Sequence, residues 1–268
     1  DLHSFPTRRS SDLFVMIYIC SNAAIATQNV NRLNVSDTDG FSIATRLTYL
    51  PRQVRSLRKN KVNFISLTPG TAFDHARSRG GHADERAILY RMLYDLLLAQ
   101  NERPELREGL LNLLQATAGK DNWRAKAKNL PAEDLDVDLS KAFRRAVIED
   151  AELYAALKEG CERFARYRDY SRIPWEDSEL RYDLIGKLRS KLASVCLSAL
   201  EPDLVILDEF QRFKHLLDGD DEASMLATAL FEHPNVRVLL LSATPYKMFT
   251  LDQEKDRKST RLNSSHLR

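Results

Sequence analysis

Only three cysteines, Cys20, Cys161 and Cys196, occur in the 268 residues, and no two of them form a CxxC pair. Three cannot pair fully within one chain, so a disulfide framework is excluded and a reducing, cytoplasmic setting is expected. The six histidines show no metal-ligand spacing, which excludes a structural zinc of the usual kind. Apolar runs are short, and the longest, LFVMIYIC from Leu13 to Cys20, falls well below a membrane crossing. No membrane partner is expected, and the Arg8-Arg9 pair ahead of that run only mimics a signal peptide. Also missing is a Gly-rich loop ending in Lys and Ser or Thr, the usual phosphate cradle. Gly119-Lys120 is followed by Asp121, and Gly186-Lys187 by Leu188, both in helical surroundings.

Charge of one sign is lacking too, with 40 Lys and Arg against 38 Asp and Glu. The slight excess comes from the ends. Asp1 to Leu13 (DLHSFPTRRSSDL) resembles a translated frame of a common sequencing adapter, and Asp256 to His266 (DRKSTRLNSSH) the opposite adapter, with Leu267 and Arg268 as index bases. The expectation is that Phe14 to Lys255 is native and belongs to a longer protein. Removing the six basic and three acidic residues of both ends leaves 34 against 35. Such neutrality neither supports nor excludes a nucleic-acid partner, because a local patch suffices.

What is present is an alternation of strand-like and helix-like segments. Phe14 to Cys20 reads as a strand, Ser21 and Asn22 as helix caps, and Ala23 to Leu33 as a helix. After a mixed stretch from Phe41 to Lys61, Val62 to Leu67 reads as a strand ending in a Thr68-Pro69-Gly70-Thr71 turn, with Gly70 free to take positive φ. Residues 74–183 change character to charged, Leu-rich and Ala-rich segments with apolar residues every three or four. Arg86 to Ala99, Leu106 to Leu114 and Phe143 to Phe164 are the clearest helices. The alternation resumes over 184–255 with a helix near Leu184 to Leu200 and strands Leu204 to Leu207 and Val236 to Leu241. Runs of Val, Leu and Ile bounded by polar residues read as strands buried on both faces of a parallel sheet. The fold class is therefore α/β.

Those last two strands end in DEFQ (Asp208 to Gln211) and SATP (Ser242 to Pro245). Polar residues leaving parallel strands line the ligand crevice. An Asp-Glu pair there can hold magnesium, through water, and polarise the water that attacks a terminal phosphate. Ser242 and Thr244 supply hydroxyls within reach of neighbouring carboxylates.

On these strings the chain resembles the first motor domain of a superfamily 2, DEAD/DEAH-like helicase or translocase, with DExx as motif II and SAT as motif III. The resemblance implies a RecA-like P-loop NTPase parallel sheet, incomplete here, with a helical insertion over 74–183 between the two ATPase parts 14–73 and 184–255. It implies ATP and magnesium as cofactors, Asp208 organising the metal and Glu209 as general base. Gln211 stands at the variable last position of motif II, and Ser242, Ala243 and Thr244 would link the nucleotide state to nucleic acid. Ile25, Ala26 and Gln28 match LAxQ of motif Ia, with Asn22 and Ala23 in place of its Thr and Arg. Thr68, Pro69 and Gly70 match TPG of motif Ib, with Thr71 in place of Arg. Ser21, Asn22, Gln28, Thr68, Pro69, Gly70 and Thr71 are thus implied nucleic-acid contacts, DNA being favoured over RNA, and the missing phosphate loop would lie upstream of Phe14. Alternatives are a duplex-DNA translocase of a remodelling or restriction system, or a non-hydrolysing RecA-like scaffold. Within the insertion, Arg163 to Trp175 interleaves Arg with aromatic residues, as single-stranded nucleic acid requires. The stretch is read as a solvated helix face with its apolar stripe in the local core.

Overall fold

The computed structural model describes residues 13–33, 40–73, 80–167, 173–213, 216, 219 and 221–242. The runs FVMIYI, VNFISL and LVILD form β1 (Phe14–Ile19), β3 (Val62–Leu67) and β4 (Leu204–Asp208). Two further strands are β2 (Gly40–Ala44), hidden in the stretch read as mixed, and β5 (Arg237–Leu241). All pair in parallel, in the order β2-β3-β1-β4-β5. The α/β expectation holds at this level.

Continuous apolar strands are explained by two apolar layers, one on each face. Val15, Ile17 and Ile19 of β1 join the larger core with Ile65, Leu67, Val205 and Leu207. Met16, Tyr18 and Cys20 point the other way, against Ala26 and Val30 of α1 (Ala23–Leu33). Asp203 clasps the entry to β4: its carboxylate accepts from the Val15 amide at 2.7 Å, and its own amide donates to the Val15 carbonyl at 2.9 Å.

The larger core is built from α2 (Leu50–Leu57), α4 (Ala83–Ala99), α5 (Pro104–Leu113), α6 (Lys120–Lys128), α7 (Val137–Glu149), α8 (Ala151–Ala165), α9 (Trp175–Leu200) and α10 (Glu222–Phe231); α3 (Pro69–Ala72) is a single turn. Sheet and helical segment thus share one core, and α9 runs unbroken through the expected boundary at 183 and 184. The apolar periodicity from Phe143 to Phe164 is not one helix. Asp150, at φ −86° and ψ 86°, ends α7 and caps α8, accepting from the Leu153 amide at 3.0 Å. A side chain able to cap interrupts a pattern that spacing alone reads as continuous.

Two glycines are demanded by packing. A Cβ on Gly109 would sit 1.8 Å from the Cys161 carbonyl oxygen, so α5 and α8 touch backbone to backbone. Gly109→Ala should lower the urea-unfolding free energy by about 1–3 kcal/mol. Gly119→Ala, where a Cβ meets nothing within 4 Å, is its control; equal stability of both variants would refute the close contact. Gly81 takes φ +56° against the Arg189 guanidinium, where a Cβ would be strained and would also collide with that side chain.

One freedom expected of the turn goes unused, and one expectation about a strand is corrected. Gly70 does not take positive φ; Thr68 is extended, and Pro69 opens α3, whose first turn suits its fixed φ and missing N–H. Nor is the last strand buried on both faces, since Val238, Leu239, Leu240 and Leu241 are 36–45% exposed. β5 is the sheet edge, and alternate residues on both its faces lack cover among the described residues. Among the described residues no helix is long and apolar enough to cross a membrane.

Candidate active site

Chain direction reverses its sideways progress at β1 and β4: β1 leads through α1 toward β2 and β3, whereas β4 leads through α10 to β5. A crevice opens at the C-terminal ends of strands at such a switch point. At these strand ends lie Ser21, Asp208, Glu209 and Ser242. Asp208 pairs in register with Leu241, so Glu209 and Ser242 leave neighbouring strands side by side, as the two apolar runs predict. Ala243 and Thr244 lie outside the described residues.

Asp208 is half-buried, and its Oδ2 accepts from the Tyr18 hydroxyl at 2.6 Å. Tyr18 accepts in turn from Asn29 Nδ2 at 2.8 Å. Burial, then the bond to Asp208, push the Tyr18 phenol up to about 12, so it remains a donor at neutral pH. Glu209 has φ 54°, a left-handed conformation that costs a non-glycine residue about 1–2 kcal/mol. Its Oε2 receives Ser21 Oγ at 3.2 Å and Arg212 Nε at 3.2 Å, and Arg212 Nη1 donates to Ser21 Oγ at 3.5 Å. Strained backbone and a three-residue clamp both concentrate on this one carboxylate. Gln211 lies in the short 3-10 turn Phe210–Phe213, and its Oε1 is buried with no hydrogen-bond partner among the described residues.

Of the implied nucleic-acid contacts, the structure assembles some and scatters others. Ser21 turns toward Glu209. Asn22 caps α1, its Oδ1 accepting from the Ala24 amide at 2.9 Å and the Ile25 amide at 3.3 Å. Gln28 is exposed on α1, Pro69 is buried, Gly70 is exposed, and the Thr71 side chain is not described. A cleft of about 280 Å³ lies between the start of α1 and the ends of β2 and β3, lined by Ala23, Thr45, Arg46, Tyr49, Ser66 and Thr68 among others. Thr68 is the one implied contact that lines it. Arg46 brings the cation that sequence reasoning missed; it donates to His82 Nε2 at 3.0 Å and lies 3.6 Å from Glu85. The signal for it was a cation just past a strand end, visible only once β2 is recognised.

The Arg-aromatic stretch behaves as an ordinary helix end. Arg163 pairs with Glu159 and Asp177 at 2.9 Å each, Tyr167 donates to Asp177, and Phe164 is fully buried; residues 168–172 lie outside the description. Both glycine-lysine pairs are structural, Gly119 preceding α6 and Gly186 lying inside α9. A larger cleft of about 560 Å³ is built from α8, α9, α10 and the residue before α8, and takes nothing from the strand ends.

No protein-family model, curated protein or solved structure matched the chain. The site therefore has to be read from its own chemistry. Among the described residues no three His, Cys, Asp or Glu side chains converge as a metal cage.

Proposed function

We propose that this chain is the larger part of a RecA-like ATPase domain, in the first motor of a superfamily 2 helicase or translocase that couples ATP hydrolysis to movement on nucleic acid. The observation that carries the reading is the meeting of Asp208, Glu209 and Ser242 at the C-terminal ends of adjacent parallel strands beside the switch point. Asp208 is the residue to hold magnesium through water, and the ion would neutralise charge on the transferred phosphoryl group. Glu209, with its Oε2 already held by Ser21 and Arg212, accepts the proton of the attacking water. The Arg46 and Thr68 cleft offers a cation and hydroxyls to a backbone phosphate, without reading base sequence. A phosphate-binding loop is also required. Among the described residues β5 ends the sheet, which is where a further strand carrying that loop would pair.

The test is ATP hydrolysis by the full-length protein with and without single-stranded DNA, duplex DNA and RNA. Nucleic-acid-stimulated turnover, lost in Asp208→Ala, is expected. Nucleotide binding without any turnover would favour the non-hydrolysing scaffold, and stimulation by duplex DNA without strand separation the translocase.

A further inference from the structure

We infer that Tyr18, oriented by Asn29, is the positioning residue for the Asp208 carboxylate and thereby sets how tightly the site holds a divalent cation with nucleotide; this rests on the ATPase reading above. Tyr18 pairs in register with Ile206 across β1 and β4. Side chains two residues apart share a strand face, so Asp208 lies on the same face as Tyr18, one step nearer the crevice. The phenol spans that step, with its oxygen 2.6 Å from Asp208 Oδ2.

The direction of the proton chain follows from valence. An ionised carboxylate only accepts, so the single phenol proton is committed to Asp208. The Tyr18 oxygen must then act as acceptor toward α1, and Asn29 presents its amide nitrogen at 2.8 Å. Around this hydroxyl the layer is apolar: Met16, Cys20, Ala26, Val30, Phe64 and Ile206. Phenylalanine would fill the same space. A phenol that donates to Asp208, and an amide that donates in turn to that phenol, serve the carboxylate and not the packing. With Oδ2 fixed, Oδ1 is left for the cation or its water, and the side chain cannot swing away from the crevice. Partners that fix a ligating carboxylate typically change metal affinity by tenfold to a hundredfold.

The experiment uses full-length protein with Mn²⁺ as the probe, free Mn²⁺ being followed by electron paramagnetic resonance in the presence of a non-hydrolysable ATP analogue. Tyr18→Phe should weaken Mn²⁺ binding by about tenfold or more, leave metal-free nucleotide binding unchanged, and regain most of its turnover in excess Mg²⁺. Asn29→Ala should shift affinity in the same direction by a smaller factor, and keeps the phenol in place should Tyr18→Phe fold poorly. Wild-type Mn²⁺ affinity in both variants, alongside loss of binding in Asp208→Ala, would overturn the inference and spare the ATPase reading. Undiminished Mn²⁺ binding and turnover in Asp208→Ala would instead remove that reading, and the role of Tyr18 with it.

Discussion

In the full-length protein, Glu209→Gln should still bind ATP while hydrolysing it at least about a hundredfold more slowly, the lower range for loss of a general base. The amide keeps the shape of the side chain and can still accept from Ser21 Oγ and Arg212 Nε, which meet the carboxylate at 3.2 Å. It lacks only the basicity to take a proton from water. Gln and Glu are equally strained at a φ of 54°, so the substitution adds no backbone demand of its own. Equilibrium nucleotide binding and steady-state phosphate release check it together. Undiminished release in the presence of nucleic acid would remove Glu209 from the role.

Glu85→Ala should cost about 3–5 kcal/mol of unfolding free energy, the range for stripping one partner from a buried ion pair. Glu85 is fully buried, and Arg189 Nη2 lies 3.1 Å from its Oε1 with a side chain only 1% exposed. Thr48 Oγ1 donates to Oε1 at 2.6 Å, and the His82 amide to Oε2 at 2.6 Å. These bonds join the turn after β2, the start of α4 and the middle of α9, so the cluster ties the sheet to the helical layer. Burial alone would raise the carboxyl's pKa, but Arg189, the His82 amide, Thr48 and Arg46 together hold it below its ordinary 4.5. A depressed folded value means that the stabilisation is complete above the unfolded value and is lost as pH falls through the folded one. Wild-type urea midpoints should therefore drop in acid below about pH 4.5, and those of Glu85→Gln should drop less. Replacing both partners, as Glu85→Leu with Arg189→Met, should recover much of the loss, since no buried charge is then stranded. A change under about 1 kcal/mol in Glu85→Ala would show that the pair is solvated in solution.

Sequence alone carried the strands with unbroken apolar runs, since burial on both faces leaves no freedom for polar residues: VNFISL and its bounds were legible without coordinates. It carried α1 as well, where a capping Asn precedes a helical period. It missed β2, because GFSIA is a short edge strand with one polar position and no long apolar signal. It merged α7 with α8, because the period continues across Asp150 while the backbone does not.

The sequence by itself determined the α/β class and put Asp208, Glu209 and Ser242 at strand ends, because apolar periodicity and the polar residues that stop it are local properties of the chain. Tertiary structure alone decided where β1, β2 and β3 lie beside them. Setting β1 beside β4 brings Tyr18 to Asp208 and Ser21 to Glu209, across separations of 190 and 188 residues respectively. It also decided that Arg46 faces a cleft with Thr68, and that β5 is the last strand of the sheet among the described residues and is exposed despite its apolar sequence. Pairing order and exposure depend on contacts between segments remote along the chain, and no local pattern of residues encodes them.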